Sequence, residues 1–394
     1  MLAATARVTR DLDAAEESVQ DAYVAALEAW TRDGVPDNPA AWLTTVARRR
    51  ALNAMRRRRT LHRKLPLLAR PEATEVPDDP SVIPDDRLRL IFTCCHPALS
   101  PEAQIALTLR LVCGVSTGDI AQTFLVPEPT MAARLTRAKK KIAAARVPYE
   151  VPGPEELPAR LDTVLTVIHL LYTTGHTAPS GATLTRAEPA ERALDLARMV
   201  VDLMPGDREA QGLLGLLTVN HARRATRTDE EGRLVLLEDQ DRSAWDREAI
   251  EEGHRLVLAV LEGGRPGRFA LQAAIAALHA QADTYAATDW RQIVDLYDEL
   301  LRIWPSPVVA LNRAIAVSMV EGPEAGLAAV AALEADTRLA GYQYLPAARG
   351  DMLRRLGRRE QAAAAYRTAL RLADNDAERE FLERRLDALT SRSR

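Results

Sequence analysis

Aromatic residues are scarce in this chain, at 4% of its 394 positions. Alternating runs of β-branched residues are scarce too, while the good helix formers Ala, Leu, Arg and Glu are abundant. The expected fold class is therefore all-α. Only three cysteines are present, Cys94, Cys95 and Cys113, too few for a disulfide framework. Cys94, Cys95 and His96 are adjacent in FTCCHPALS, but neighbouring side chains diverge and no second ligand pair follows at a metal-like spacing. Buried core thiols are expected, with no metal and no cofactor. No apolar run approaches the ~18 residues of a membrane span. The first twenty positions carry several charges, so no secretory leader is expected and a cytoplasmic location is. Hydrolase, metalloprotease and phosphate-loop motifs are missing, so no catalytic residue is expected. A formal charge of −3 excludes a globally basic protein. The length suits two or three domains.

Positive charge is instead concentrated in two places. In Leu107–Lys141, LTLRLVCGVSTGDIAQTFLVPEPTMAARLTRAKKK, an apolar segment with Leu107, Leu109 and Leu111 stops at Gly114. Ser116 is placed to cap a second helix, with Asp119 three residues on. Pro127 and Pro129 bracket a turn into a third helix, from about Glu128 to Ala145. There Met131, Leu135 and Ile142 share one face, and Thr130, Arg134, Arg137, Lys139, Lys140 and Lys141 fall mostly elsewhere. A short helix, a turn and a basic amphipathic helix is the geometry that enters a DNA major groove. The second place is Ala47–Lys64, ARRRALNAMRRRRTLHRK, with nine basic residues and no acid. Trp42, Leu43, Val46, Leu52 and Met55 keep a helical phase through it, so the run is read as a structured helix facing phosphates.

Before it lies an acidic amphipathic segment, Asp11–Trp30, DLDAAEESVQDAYVAALEAW. Ala15, Val19, Ala22, Tyr23, Ala26, Leu27 and Trp30 make one apolar stripe, with Asp13, Glu16, Glu17, Gln20, Asp21 and Glu28 off it. Such a helix is a solvated core element or a docking face for a basic partner. Proline and acid dominate 71–86, and a second proline-rich break spans 147–158; both read as linkers. From about Ala159 the chain repeats degenerate helix pairs. The clearest is Leu345–Asp376, where Gly350 and Gly357 are followed by Ala362, Tyr366 and Ala369 in a tetratricopeptide-like pattern. An α-solenoid of stacked hairpins is expected. His169, Tyr172 and His176, near a glycine-rich loop, are expected to cap helices or fill polar core positions, with a hydrolase-like or ligand site as the alternative. Thr226–Asp246 breaks the register, within a densely charged stretch, Asn220–Asp246, that is a surface loop or a lining of the solenoid groove.

Taken in order, DLDAAEESVQDAYVAALEAW, PAAWLTTVARRRALNAMRRRR, an acidic linker and a helix-turn-helix ending MAARLTRAKKKI resemble the extracytoplasmic-function sigma factors of bacterial RNA polymerase. The closer likeness is to the subgroup with a long helical C-terminal extension. The resemblance implies sigma region 2 at 1–62, a linker at 63–86, region 4 at 87–146, a second linker at 147–158 and a TPR-like domain at 159–394. Region 2 looks truncated, since helix is expected before the acidic segment and the chain begins MLAATARVTRD. By resemblance, Asp13, Glu16, Glu17, Gln20 and Asp21 would bind the β′ clamp helices of core polymerase, with the β flap a further partner. Thr44, Thr45, Arg48, Arg49, Asn53, Arg56 and Arg57 would meet the −10 element together with the loop from Thr31 to Pro39, in which Asp33–Pro39 would hold an unstacked nucleotide. Glu128, Thr130, Met131, Arg134, Arg137 and Lys140 would meet the −35 element. The C-terminal domain would contact and regulate the sigma domains. The alternative is a one-component helix-turn-helix regulator whose helical half senses a ligand or protein; a scaffold built around the repeats is a third.

Overall fold

The structure, a computed structural model, describes residues 1–64, 86–124, 126–145, 147, 149, 152–153 and 155–390. The expected linker at 63–86 lies almost wholly outside them. Among the described residues there are 18 α-helices and no strand, as the composition implied. None of these helices is long and apolar enough to cross a membrane. The chain divides into two compact units, Met1–Ala121 with Val126–Val167, and Gln122–Leu125 with Ile168–Arg394. The first unit thus reaches beyond the second proline-rich break.

In the first unit, α1 (Leu2–Thr9), α2 (Leu12–Asp33) and α3 (Pro39–Lys64) pack on one another. The segment ahead of the acidic helix therefore does contribute helix, with Ala3, Thr5 and Ala6 buried. The α1–α2 corner turns at Arg10 in the left-handed region, φ 52°. Asp11 then caps α2, its carboxylate accepting from the Ala14 N–H at 3.1 Å. The buried stripe of α2 is Leu12, Ala15, Ser18, Ala22 and Ala26. Tyr23 and Leu27, expected in that stripe, are 52% and 73% exposed. Helices crossing at alanine approach too closely to admit larger side chains, which turns those two residues outward. Leu52 and Met55 of α3 are likewise exposed, at 43% and 40%; its buried positions are Leu43, Ala47 and Ala51.

Next come α4 (Asp86–Cys94), α5 (Pro101–Leu111), α6 (Thr117–Thr123) and α7 (Glu128–Ala144). All three cysteines are buried. Burial pushes the Cys95 thiol up to about 12, so it is held as a neutral core group beside Thr108. Tyr149, inside the proline-rich break, donates to the carbonyls of Ala3 and Asp86, both at 3.0 Å. That part of the break is thus fastened to the first unit.

The second unit holds the C-terminal part of α8 (Leu157–His176), then α9 (Ala187–Leu203), α10 (Arg208–Ala222), α11 (Arg247–Glu262), α12 (Arg268–Gln281), α13 (Trp290–Ile303), α14 (Pro307–Val320), α15 (Pro323–Ala331), α16 (Tyr344–Arg355), α17 (Arg359–Leu372) and α18 (Asp376–Thr390). From α9 on, each helix packs on its neighbours in sequence, and α10 also packs closely on α12, which is the stacked-hairpin arrangement of a solenoid. Aspartates start three of them: Asp207, Asp246 and Asp289 accept from the N–H groups of Ala210, Ala249 and Gln292. Gly350 has the expected role. A Cβ there would meet the Tyr366 ring at 2.8 Å, so only glycine lets α16 and α17 cross at this distance.

The solenoid closes on itself. Asn375, fully buried, donates to the carbonyls of Ala178 and Thr183, at 3.1 and 2.9 Å. The N–H of Asp376 donates to Gly181 O at 3.0 Å. Residues nearly two hundred positions apart are joined, and the charged segment between α10 and α11 folds inward. Arg227 donates to Thr177 Oγ1 at 3.0 Å, and Arg242 donates to the carbonyls of His279 and Ala282, both at 2.7 Å. The segment is therefore a groove lining rather than a surface loop.

Candidate nucleic-acid interface

The helix-turn-helix is built as its residues dictate. Gly114, at φ 68°, ends the approach to α5's C-terminus in a conformation other residues avoid. Ser116 Oγ accepts from the Asp119 N–H at 3.0 Å and so caps α6. Pro127 and Pro129 flank the start of α7. The α7 core face is Met131, Leu135, Ala138 and Ile142. The remaining surface carries Thr130, Arg137, Lys140 and Lys141, all exposed, with Arg134 half-buried at its edge.

Met131 is the departure from expectation. It has no exposed surface and serves as the first core position of α7, spaced four and seven residues before Leu135 and Ala138. It supports the reading face instead of belonging to it. Glu128 lies exposed at the first turn of α7, where a carboxylate favours the positive end of the helix.

On α3, Thr45, Arg48, Arg49, Asn53, Arg56 and Arg57 are exposed and Thr44 is half-buried. The hydroxyls of Thr44 and Thr45 donate to the carbonyls of Ala40 and Ala41 one turn back. Thr45, Arg48, Arg49 and Arg56 fall on the face opposite Leu43 and Ala47. The loop before α3 is shorter than expected. α2 continues through Asp33, so Thr31, Arg32 and Asp33 are helical. Gly34, at φ 82°, ends it, its N–H donating to Trp30 O at 3.1 Å. Asn38 caps α3 by accepting from the Ala41 N–H at 3.0 Å. Trp30 and Trp42 meet at 5.5 Å beneath the loop and fix how α2 enters α3.

The acidic face of α2 is drawn into ion pairs inside the first unit. Lys139 of α7 lies 2.9 Å from Asp13 and 2.7 Å from Glu16, and Arg50 of α3 lies 3.2 Å from Asp21. Desolvation opposes the Lys139 ammonium, but its hydrogen bonds to Glu16 and Asp13 outweigh that and raise its pKa. Glu17 and Gln20 are exposed on the same helix, beside Tyr23, Val24 and Leu27. The exposure of Tyr23 and Leu27 was missed in the sequence because their spacing also fits a core stripe, and Val24 lies outside that stripe.

Outside this interface, Tyr172 is buried in the second unit, with His169 and His176 half-buried beside it. His169 meets Phe269 edge-on at 5.5 Å, and Tyr172 stacks on His176 at 5.4 Å. Burial holds His169 down to about 4.

Comparison with known proteins follows the same division. Residues 2–60 match Sigma-70 region 2, residues 89–142 match Sigma-70 region 4, and residues 160–261 match a family of unknown function, DUF6596. The uncharacterized protein R00370 of Rhizobium meliloti (strain 1021) is 43% identical over 396 aligned residues, covering 99% of this chain and 93% of that one. The region 2 match runs through α1–α3 and the region 4 match through α4–α7, in the order in which the basic helices occur. The chain belongs to the sigma-70 family, as a sigma factor of the extracytoplasmic-function type that carries a helical C-terminal extension.

Proposed function

We propose that this sigma factor brings core polymerase to promoters by dividing recognition between α3 and α7. The carrying observation is that each helix buries an apolar stripe and turns a basic face outward. On α3, Thr44, Thr45, Arg48, Arg49, Asn53, Arg56 and Arg57 read and hold open the −10 element, with the loop 34–38 receiving an unstacked nucleotide. On α7, Glu128, Thr130, Arg134, Arg137 and Lys140 meet the duplex −35 element. Asp13, Glu16, Glu17, Gln20 and Asp21 form the polymerase face, towards the β′ clamp helices, and the exposed Tyr23, Val24 and Leu27 add an apolar ridge to it. The β flap is the partner of region 4. The work is binding throughout, with no catalytic residue.

The C-terminal domain regulates these elements. It is covalently joined to them and so present at high effective concentration. The deciding experiment is run-off transcription with core polymerase on promoter fragments, comparing the full-length chain with Glu17→Lys/Asp21→Lys and with a chain cut at Gly153. Loss of transcripts with the charge reversal supports polymerase docking, and altered output from the cut chain supports regulation. Promoter binding that needs no polymerase and yields no transcript would favour a one-component regulator.

A further inference from the structure

Closure of the solenoid removes the open groove in which a repeat protein would seat a peptide. Beside the inward segment lies a cavity of about 430 Å³. Leu234 and Leu237 of that segment form one wall; Met319, Tyr344 and Phe381, on α14, α16 and α18, form the other. The size and the mostly apolar lining suit a small molecule. Tyr285 and Tyr366 bring the aromatic residues of the lining to four, in a chain with few aromatics.

The polar groups of this cavity are unevenly satisfied. Arg354 bonds Asp351 at 2.6 Å, Arg355 donates to Ser318 O at 3.0 Å, and Arg385 stands over the Phe381 ring at 5.1 Å and 4.0 Å from Glu238. Each arginine of the lining thus has its own partner. Glu378 is 8% exposed and accepts from Tyr344 Oη and from Gln343 Nε2. Two donors leave about half of a carboxylate's acceptor sites open. Among the described residues no lysine or arginine lies within ion-pair distance of it, and Arg227 acts on it only at longer range. Gln343 Oε1, in the same wall, is buried with no hydrogen-bond partner. The arginines keep spare donors at the more exposed edge, but among the buried groups the open capacity is acceptor capacity: one carboxylate and one amide oxygen, set among aromatic faces. An ammonium group supplies donors to both and is attracted by the rings.

We infer that the C-terminal domain holds a binding site for an organic amine with an apolar body, its ammonium group at Glu378 and Gln343 and its apolar part between the inward segment and α14–α18. Burial also raises the Glu378 carboxyl, so a bound cation would relieve an existing cost. The site is independent of the transcription reading, because its test measures binding alone.

Titration calorimetry of the full-length chain uses three probes of one length: n-octylammonium, n-octanoate and n-octanol. Saturable binding is expected for octylammonium, at least tenfold tighter than for octanoate, with octanol between them. Glu378→Gln should weaken octylammonium at least tenfold and leave octanol unchanged. Ala347→Trp, which fills the cavity from α16 and leaves Glu378 intact, should abolish all binding and covers the case in which the first variant misfolds. Equal or tighter binding of octanoate, no binding of any probe, or undiminished octylammonium binding in a folded variant of either kind would overturn the assignment.

Discussion

Lys139 Nζ stands 2.7 Å from Glu16 Oε2, so the recognition helix of region 4 holds an acid of region 2 that would also serve the polymerase. Asp13 shares the same ammonium at 2.9 Å. Under the proposed docking, a free sigma factor in this arrangement would give up both bonds before its acidic face engaged a basic coiled coil. Lys139→Ala is therefore expected to tighten association with core polymerase, by about 1.4- to fivefold, since partly exposed pairs are worth roughly 0.2–1 kcal/mol. Equilibrium binding to labelled core polymerase measures this, and the gain should shrink as salt screens the pair. Unchanged or weaker binding would mean that these acids are not what polymerase engages.

The outward face of α7 predicts two kinds of DNA defect. Arg137→Ala removes an exposed planar fork and should cost about 1–3 kcal/mol at one promoter position, with relaxed preference there. Lys140→Ala should weaken all sequences alike and lower the salt dependence by about one counterion. Binding of the full-length chain to −35 duplexes across a salt series separates the two. Identical salt slopes in both variants would leave Lys140 without a phosphate contact.

Local chemistry was legible and long-range closure was not. The capping of α6 by Ser116, the turn at Gly114 and the close crossing of Gly350 with Tyr366 follow from a few residues whose conformational demands are strong. The buried stripe of α2 was misread at Tyr23 and Leu27. A stripe of alanine and serine carries little hydrophobic signal, although it is what close helix crossing requires. Asn375 meeting Ala178 and Thr183 leaves no local trace at all. Without that closure, the charged 220–246 segment could equally have been a surface loop.

Burial of Met131 makes it a stability residue. Met131→Ala should cost about 2–5 kcal/mol, as cavity-forming core truncations do, and lower the Tm of the first unit. Promoter preference should be unaltered once binding is scaled to the folded fraction. A shift in preference at full folding would return Met131 to the reading face.

Acid should loosen the C-terminal domain before it affects the DNA-binding helices. Burial holds both His169 and His279 down to about 4, from an ordinary value near 6.5. Below 6.5 the unfolded chain binds protons that the folded chain refuses. The stabilisation is thus complete above about pH 6.5 and is lost as pH falls towards 4. At pH 5 each histidine should cost about 2 kcal/mol relative to neutrality. His169→Phe, meeting Phe269 in place of the imidazole, removes one of these titrations and should flatten the fall of stability between pH 7 and 5. Denaturant melts at several pH values, followed by the tryptophans of the second unit, measure the slope. A variant with the wild-type slope would show that His169 takes up its proton in the folded chain as readily as in the unfolded one.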